Sequence, residues 1–132
     1  MSNHHTIRLN GPWEMITALP DEPQRVKLPK GWPEIISAAK QGPVLLQRWF
    51  HRPTGIDDGS QVELVLIGLP FSGSVSVNDQ SLGSFAPFQT HARSVGAHLT
   101  ERCCLTLSVE RLGELEDSIP IPQISLAILP AS

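Results

Sequence analysis

Along much of this chain, apolar and polar residues alternate in short runs that end at glycine or proline. The run from residue 103 to residue 109 is the clearest, because Cys103, Leu105, Leu107 and Val109 recur at every second position. Side chains two residues apart lie on the same face of a β-strand. This spacing therefore predicts a strand with one buried face.

Seven further runs predict strands by the same criterion: residues 13–17, 25–28, 47–51, 62–67, 74–77, 81–83 and 124–129. Both faces of the run 62–67 are largely apolar, which is typical of a strand inside a sheet. Asn78, Asp79 and Gln80 separate two of the runs and predict a hairpin turn, because asparagine and aspartate tolerate the backbone of tight turns.

One short helix is predicted at residues 33–39, with Pro33 in its first turn and Gly42 just beyond its end. The rest of the chain shows no regular alternation of strands with helices. Many short strands joined by turns are typical of an all-β fold, either an antiparallel sandwich or a barrel. At 132 residues the chain has the length of one domain.

Composition narrows the function classes. A net charge of -3 supplies no basic field for a phosphate backbone, so we expect no nucleic-acid partner. The longest apolar runs are too short to cross a bilayer, and the first residues contain no apolar stretch that could serve as a secretion signal. We therefore expect a cytoplasmic protein without a membrane partner.

The two cysteines, Cys103 and Cys104, are adjacent in a predicted strand. Neighbouring side chains in a strand point to opposite faces, so a relaxed disulfide between them is disfavoured. We interpret Cys103 as a small buried residue and Cys104 as an outward one. The isolated His51, His91 and His98 lack the spacing of metal ligands, and we expect no metal or other cofactor.

Catalysis is not indicated by any motif. The acidic clusters lie at 57–58 and 114–117, in turn-like segments, where acidic side chains are usually solvated surface charges. No nucleophile elbow, metal-binding helix, phosphate loop or paired CxxC occurs. We expect a protein that is not an enzyme.

An ordered series of motifs resembles the sugar-binding domain at the start of family 2 glycoside hydrolases, the β-galactosidases, β-glucuronidases and β-mannosidases. The segments are LNGPWEM at 9–15, VKLPKGW at 26–32, GPVLLQRWFHRP at 42–53, VELVLIGL at 62–69, SVSVNDQSLG at 74–83 and FAPF at 85–88, followed by the strand-like runs 104–110 and 124–129. The series spans residues 7–129. The resemblance implies one galactose-binding-like jelly-roll sandwich over residues 1–132, with its core at about 7–129.

The chain also departs from the family pattern. An aromatic pair of the family is Leu45-Leu46 here, the loop after Gly83 is shortened, and the protein contains no tyrosine. The catalytic barrel of the family, which carries its two carboxylates, has no counterpart in the sequence. The resemblance therefore implies a fold and a carbohydrate contact but no hydrolytic activity.

A sugar site needs aromatic faces beside polar groups. Trp13, Trp49 and Phe50 lie inside predicted strands at core positions of the family, so we expect them to pack in the core. Because the connections of an antiparallel sandwich emerge at alternate ends, one end should collect the loops 31–42, 69–73, 83–88 and 111–120. The site residues predicted at that end are Trp32, Phe71, Phe85, Phe88, Glu114 and Asp117. Alternatively, these aromatic rings plug the end of the sandwich.

Two functions remain open. The first is a non-catalytic carbohydrate-binding module for a mono- or oligosaccharide, acting alone or with a separately encoded hydrolase. The second is a protein-interaction or assembly domain without a sugar ligand. Self-association through residues 119–122 and 124–130 is plausible because these segments are apolar.

Overall fold

The computed structural model describes residues 5–17, 23–53, 60–114 and 121–129. Ten strands lie in these ranges: β1 His5–Arg8, β2 Trp13–Thr17, β3 Gln24–Val26, β4 Val44–His51, β5 Gln61–Ile67, β6 Phe71–Val77, β7 Gln80–Phe85, β8 Thr90–Ser94, β9 Arg102–Leu112 and β10 Gln123–Leu129. The described α-helix, α1, spans Trp32–Ala39, and a single 3₁₀ turn spans Gly96–His98.

The strands form two antiparallel sheets, ordered β1-β10-β5-β8 and β3-β2-β4-β9-β6-β7. This is the all-β sandwich with one short helix that the sequence predicts, so the fold class is confirmed. Strand β5 lies between β10 and β8, as its two apolar faces indicated. The strands β1 and β8 were not predicted, and β3 ends two residues earlier than expected.

Alternation along β9 builds the centre of the core. Cys103, Leu105, Leu107 and Val109 are all buried, and Cys104 is half-buried on the outer face. Both thiols are free, which confirms the interpretation of the cysteine pair. In β4 the buried Val44 and Leu46 lie opposite Val109 and Leu107, so the same face of the neighbouring strand points inward.

The predicted hairpin at Asn78 joins β6 to β7. The Asn78 side chain also hydrogen-bonds with the segment that leads into β9. Asn78 and Asp79 have positive φ values of 51° and 67°, as asparagine and aspartate tolerate. The Asn78 amide donates to the His98 carbonyl at 2.8 Å, and its Oδ1 accepts from the Cys104 N–H at 2.9 Å. The turn and the segment 96–102 therefore lie at one end, as the alternation of connections predicted.

Arg93 bridges the edges of the two sheets. Its side chain, on β8, donates to the carbonyls of Leu82 and Ser84 on β7, at 3.2 and 3.4 Å. The His91 Nε2 accepts from the Ala86 N–H at 3.1 Å. These polar side chains take the inward positions of an edge strand, so β8 carries no apolar face that a pattern could reveal.

Candidate functional site

The predicted sugar-binding end is assembled, but three of its rings lie in the core. The Phe88 N–H donates to the Leu69 carbonyl at 2.8 Å, and the Gly113 N–H donates to the Pro70 carbonyl at 2.8 Å. The loops 69–73 and 83–88 and the end of β9 therefore meet, as predicted. Trp32, Phe71 and Phe85 are buried there, with Phe71 fully enclosed.

The three rings pack against one another. Centroids of Trp32 and Phe71 are 6.2 Å apart, as are those of Phe71 and Phe85, which is the range of favourable aromatic pairs. Trp32 is only 4% exposed, so this arrangement leaves no ring face for a sugar. The expectation that these rings lie on the surface is thus corrected, and the alternative that they plug the end of the sandwich holds for all three.

Gly73 makes room for this aromatic cluster. A Cβ on Gly73 would lie 1.9 Å from the Ser108 carbonyl oxygen and 3.2 Å from the Phe85 ring. Neither the β9 backbone nor the buried Phe85 ring can move far enough to relieve these two contacts. The absence of a side chain at Gly73 therefore lets Phe85 close over β6.

Two predicted site residues remain on the surface at this end. Phe88 is 42% exposed with φ at 60°, and its ring lies 3.2 Å from the position that a Cβ on Gly113 would take. Glu114, next in the chain, is exposed. Asp117 lies outside the described residues, as do the acidic residues 57–58 and 116. A carbohydrate contact through Phe88 and Glu114 stays a prediction.

Trp49 lies where the sequence analysis did not place it. It was expected in the core, yet it is 45% exposed on the outer face of the six-stranded sheet. The other two residues of that expectation are inside: Trp13 is fully buried and its Nε1 donates to the Leu9 carbonyl at 2.8 Å, and Phe50 packs against the core. Adjacent strand residues face opposite ways, so Trp49 and Phe50 cannot both point inward.

Arg48 explains why the outward position of Trp49 was missed. It occupies the core-facing register of β4, opposite the buried Leu105, and so breaks the apolar alternation. Its guanidinium donates to the Trp49 carbonyl, while its Nε is buried without a partner among the described residues. Desolvation by burial lowers the pKa of Arg48, although an arginine stays charged at neutral pH.

A cation lies over the ring of the exposed indole. The Arg102 guanidinium carbon lies 4.4 Å from the centroid of the Trp49 ring, a cation–π distance. Cys104 is the direct strand partner of Trp49. Burial is the main cause that raises the pKa of the Cys104 thiol; the hydrogen bond with Thr106 opposes it, the charges of Asp79 and Glu14 raise the pKa further, and the charge of Arg102 lowers it.

A polar row crosses the sheet next to Trp49. Direct strand partners on the outer face run across all six strands in the order Arg25, Glu14, Gln47, Thr106, Ser76 and Ser81. With strands about 4.8 Å apart, the row is roughly 24 Å long. We name this row, together with Trp49 and Arg102, the outer polar face. It offers hydroxyls, amides and charged groups beside one exposed aromatic ring.

Two clefts flank α1. The larger, of about 620 Å³, lies between α1, β2 and β3, and both polar and apolar side chains line it. The smaller, of about 360 Å³, is apolar and includes Trp32, Ile36 and Ile121.

Within the described ranges, no group of three or more histidine, cysteine or acidic side chains is arranged to hold a metal ion. The described helices are also too short and polar to cross a membrane.

Comparison with known proteins identifies the fold. An FMN-binding β-glucuronidase of Faecalibacterium prausnitzii L2-6 superposes with a TM-score of 0.73 at 15% identity, over 97% of this chain and 23% of its own. A Bifidobacterium dentium β-glucuronidase complexed with coumarin-3-O-glucuronide gives 0.70 at 19% identity, over 97% and 30%. A Bacteroides uniformis β-glucuronidase gives 0.72 at 16%, over 97% and 18%.

No protein-family profile matches this chain, and no curated protein sequence does. The chain spans between 18% and 30% of the length of these three enzymes. It shares its fold with one segment of β-glucuronidases, the class of enzyme whose motifs it resembles. That resemblance is confirmed at the level of the fold.

Proposed function

We propose that this protein is a non-catalytic carbohydrate-binding module that holds an acidic sugar on its outer polar face. The observation that carries the proposal is Trp49, an indole 45% exposed on a sheet face with the Arg102 guanidinium 4.4 Å from its ring centroid. Aromatic rings contact the C–H faces of sugars, and polar neighbours bind the hydroxyls. Trp49 on β4 and Arg102 on β9 supply these two kinds of contact from neighbouring strands.

The charge beside the ring favours a carboxylate-bearing sugar. Arginine binds carboxylates through paired donors, and Arg102 lies at the Trp49 end of the outer polar face. Gln47, Thr106 and Ser76 extend away from it on adjacent strands and suit successive hydroxyls. A uronic acid unit therefore fits with its carboxylate at Arg102 and its ring near Trp49.

Similarity to known enzymes agrees with this ligand class. The superposed proteins are β-glucuronidases, and one was solved with a glucuronide. A glucuronide carries the carboxylate that Arg102 would bind. The chain corresponds to a minor segment of each enzyme, which supports a role in contact rather than in bond cleavage.

Calorimetric titration tests the proposal. The panel is glucuronic acid, galactose and mannose with their oligomers, and we expect glucuronic acid and its oligomers to bind more tightly than the neutral sugars. Trp49→Ala should weaken binding about ten-fold or more, as removal of an aromatic hot spot does. Phe88→Ala is the matched control, because Phe88 is similarly exposed at the opposite candidate site.

Three results would overturn the proposal. Titrations that release or absorb no heat with any sugar of the panel would show that none of these sugars is the ligand. Loss of binding in Phe88→Ala but not in Trp49→Ala would move the site to the loop end. Release of nitrophenol from 4-nitrophenyl glucuronide by the purified protein would contradict the non-catalytic role.

An interaction domain is the second candidate, and the same tryptophan favours it. Tryptophan and arginine are enriched among the residues that dominate protein interfaces, and Trp49 and Arg102 are adjacent. The apolar tail is less suited, because β10 is paired on both sides and Ile124, Leu126 and Ala127 are buried. Light scattering distinguishes this candidate: association that Trp49→Ala abolishes, without sugar binding, would establish it.

A further inference from the structure

The larger cleft beside α1 collects unpaired polar side chains over a buried floor. Glu34 and Ser37 from α1, Gln24 from β3 and Gln41 from the turn after α1 line it. Met15, which is buried, and Ala38 form apolar parts of its wall. Its volume of about 620 Å³ falls within the range of small-molecule sites.

These four polar side chains have no hydrogen bond or ion pair within the part of the chain that the structure describes. Glu34 is also the only charged side chain among the described lining residues. The four therefore present one carboxylate, two amides and one hydroxyl to a ligand, and Thr17, which has a partner of its own, adds a second hydroxyl to the lining. That donor set complements a cation that also carries hydroxyl groups.

From this set we propose that the cleft is a second binding site, for a hydroxylated primary amine, and that an amino sugar is the ligand class. The ammonium group pairs with the Glu34 carboxylate. The hydroxyls hydrogen-bond with Gln24, Ser37 and Gln41, and the C–H face of the ring contacts Met15 and Ala38. Acidic sugars are disfavoured here by Glu34, so this site and the outer polar face select opposite charges.

The site stands independently of the proposed function, since it shares no residue with the outer polar face. Glu34 is exposed, and exposed ion pairs are weak and sensitive to salt. We therefore expect D-glucosamine to bind about two- to five-fold more tightly than D-glucose. The difference should shrink when the sodium chloride concentration is raised to about 0.5 M.

Backbone amide NMR titration of the full chain is the test, with D-glucosamine, D-glucose, N-acetyl-D-glucosamine and putrescine as probes. Shifts centred on Glu34, Ser37 and Gln41, strongest for D-glucosamine, are expected. Glu34→Gln should remove the preference for D-glucosamine over D-glucose. Glu110→Gln is the matched control, because Glu110 is an exposed glutamate on β9 away from the cleft.

The alternatives are distinguishable. Equal binding of D-glucose and D-glucosamine, or binding unchanged in Glu34→Gln, would overturn the role of the carboxylate and with it the proposal. Putrescine binding as tightly as D-glucosamine would overturn the requirement for hydroxyls. Absence of shifts at these residues would overturn the site, whereas Trp49→Ala should leave it unaffected even if the outer polar face binds nothing.

Discussion

Trp32 and Trp49 occupy environments opposite to those that their places in the sequence suggest. Trp32 follows a glycine and begins a short helix, where a surface ring is plausible, yet it is 4% exposed and packs on Phe71. Trp49 lies within a strand, where a core ring is plausible, yet it is 45% exposed beside Arg102. The comparison teaches that the face of an element decides the role of an aromatic residue, whereas its distance from a turn does not.

The difference also separates stability from recognition. A buried ring stabilises the fold through the apolar area it removes from water and the contacts it makes. An exposed ring on a rigid sheet contributes little to folding and is available to a ligand. Trp32 is therefore expected to serve the fold and Trp49 to serve binding.

Truncating each ring gives the largest expected contrast. Trp32→Ala should lower the free energy of unfolding by about 3 to 5 kcal/mol, as large-to-small changes of buried aromatic residues do. Trp49→Ala should lower it by about 1 kcal/mol, mainly through loss of the Arg102 contact. Urea denaturation midpoints at an unchanged slope measure both. Equal losses would contradict the comparison.

Replacing each buried indole with a phenyl ring sharpens the comparison inside the core, because both variants lose the same atoms and differ in the hydrogen bond that is lost. The Trp13 Nε1 donates to the Leu9 carbonyl, whereas the Trp32 Nε1 is buried without a partner among the described residues. Trp13→Phe should therefore cost about 1 kcal/mol more than Trp32→Phe. The same denaturation experiment measures it, and a greater loss for Trp32→Phe would show that its N–H is satisfied.

Chemical labelling reports on the surface beside Trp49. Cys104 is the strand partner of Trp49 and is half-buried, and Cys103 is buried. An acidic sugar bound at Trp49 should slow alkylation of Cys104 by iodoacetamide by a few fold, a factor expected from partial shielding. Peptide mass spectrometry reads both sites. Unchanged labelling at saturating sugar would place the ligand elsewhere.

The smallest effect is a dependence of stability on alkaline pH. Because burial raises the pKa of the Cys104 thiol, the folded protein favours the neutral form. The contribution of Cys104 to the free energy of unfolding is therefore fully present below the pKa of the unfolded thiol, and it is lost as pH rises through the pKa of the folded thiol. Unfolding free energies across this alkaline range should decline less in Cys104→Ser. A steeper decline in that variant would reverse the sign.

The sequence was sufficient for the fold class because most of its strands alternate clearly. The run around Leu105 and the turn at Asn78 each follow from local chemistry, and both are confirmed. Strand β8 escaped prediction because its inward positions are His91 and Arg93, which bond across the sheet edges. Strand β8 pairs with β5 along its length, and its inward side chains bond to β7 and to the segment after β7. A local sequence pattern contains none of these contacts.

The site was less accessible from sequence. Grouping of the loops by end was correct for the described residues, but the rings at that end turn inward because Gly73 and the core accept them. Trp49 was discoverable, since an adjacent Phe50 must face the other way, but Arg48 at a core-facing position hid the alternation. The pairing of β4 with β9 settles that face.

The measurement that tests the central claim most directly is the NMR titration of the three indole N–H resonances with glucuronic acid. The account predicts that the Trp49 resonance shifts and saturates, while those of Trp13 and Trp32 stay in place. Each resonance is assigned from its Trp→Phe variant. A shift of the Trp32 resonance with Trp49 unmoved, or no shift of any, would contradict the assignment of Trp49 as the sugar contact.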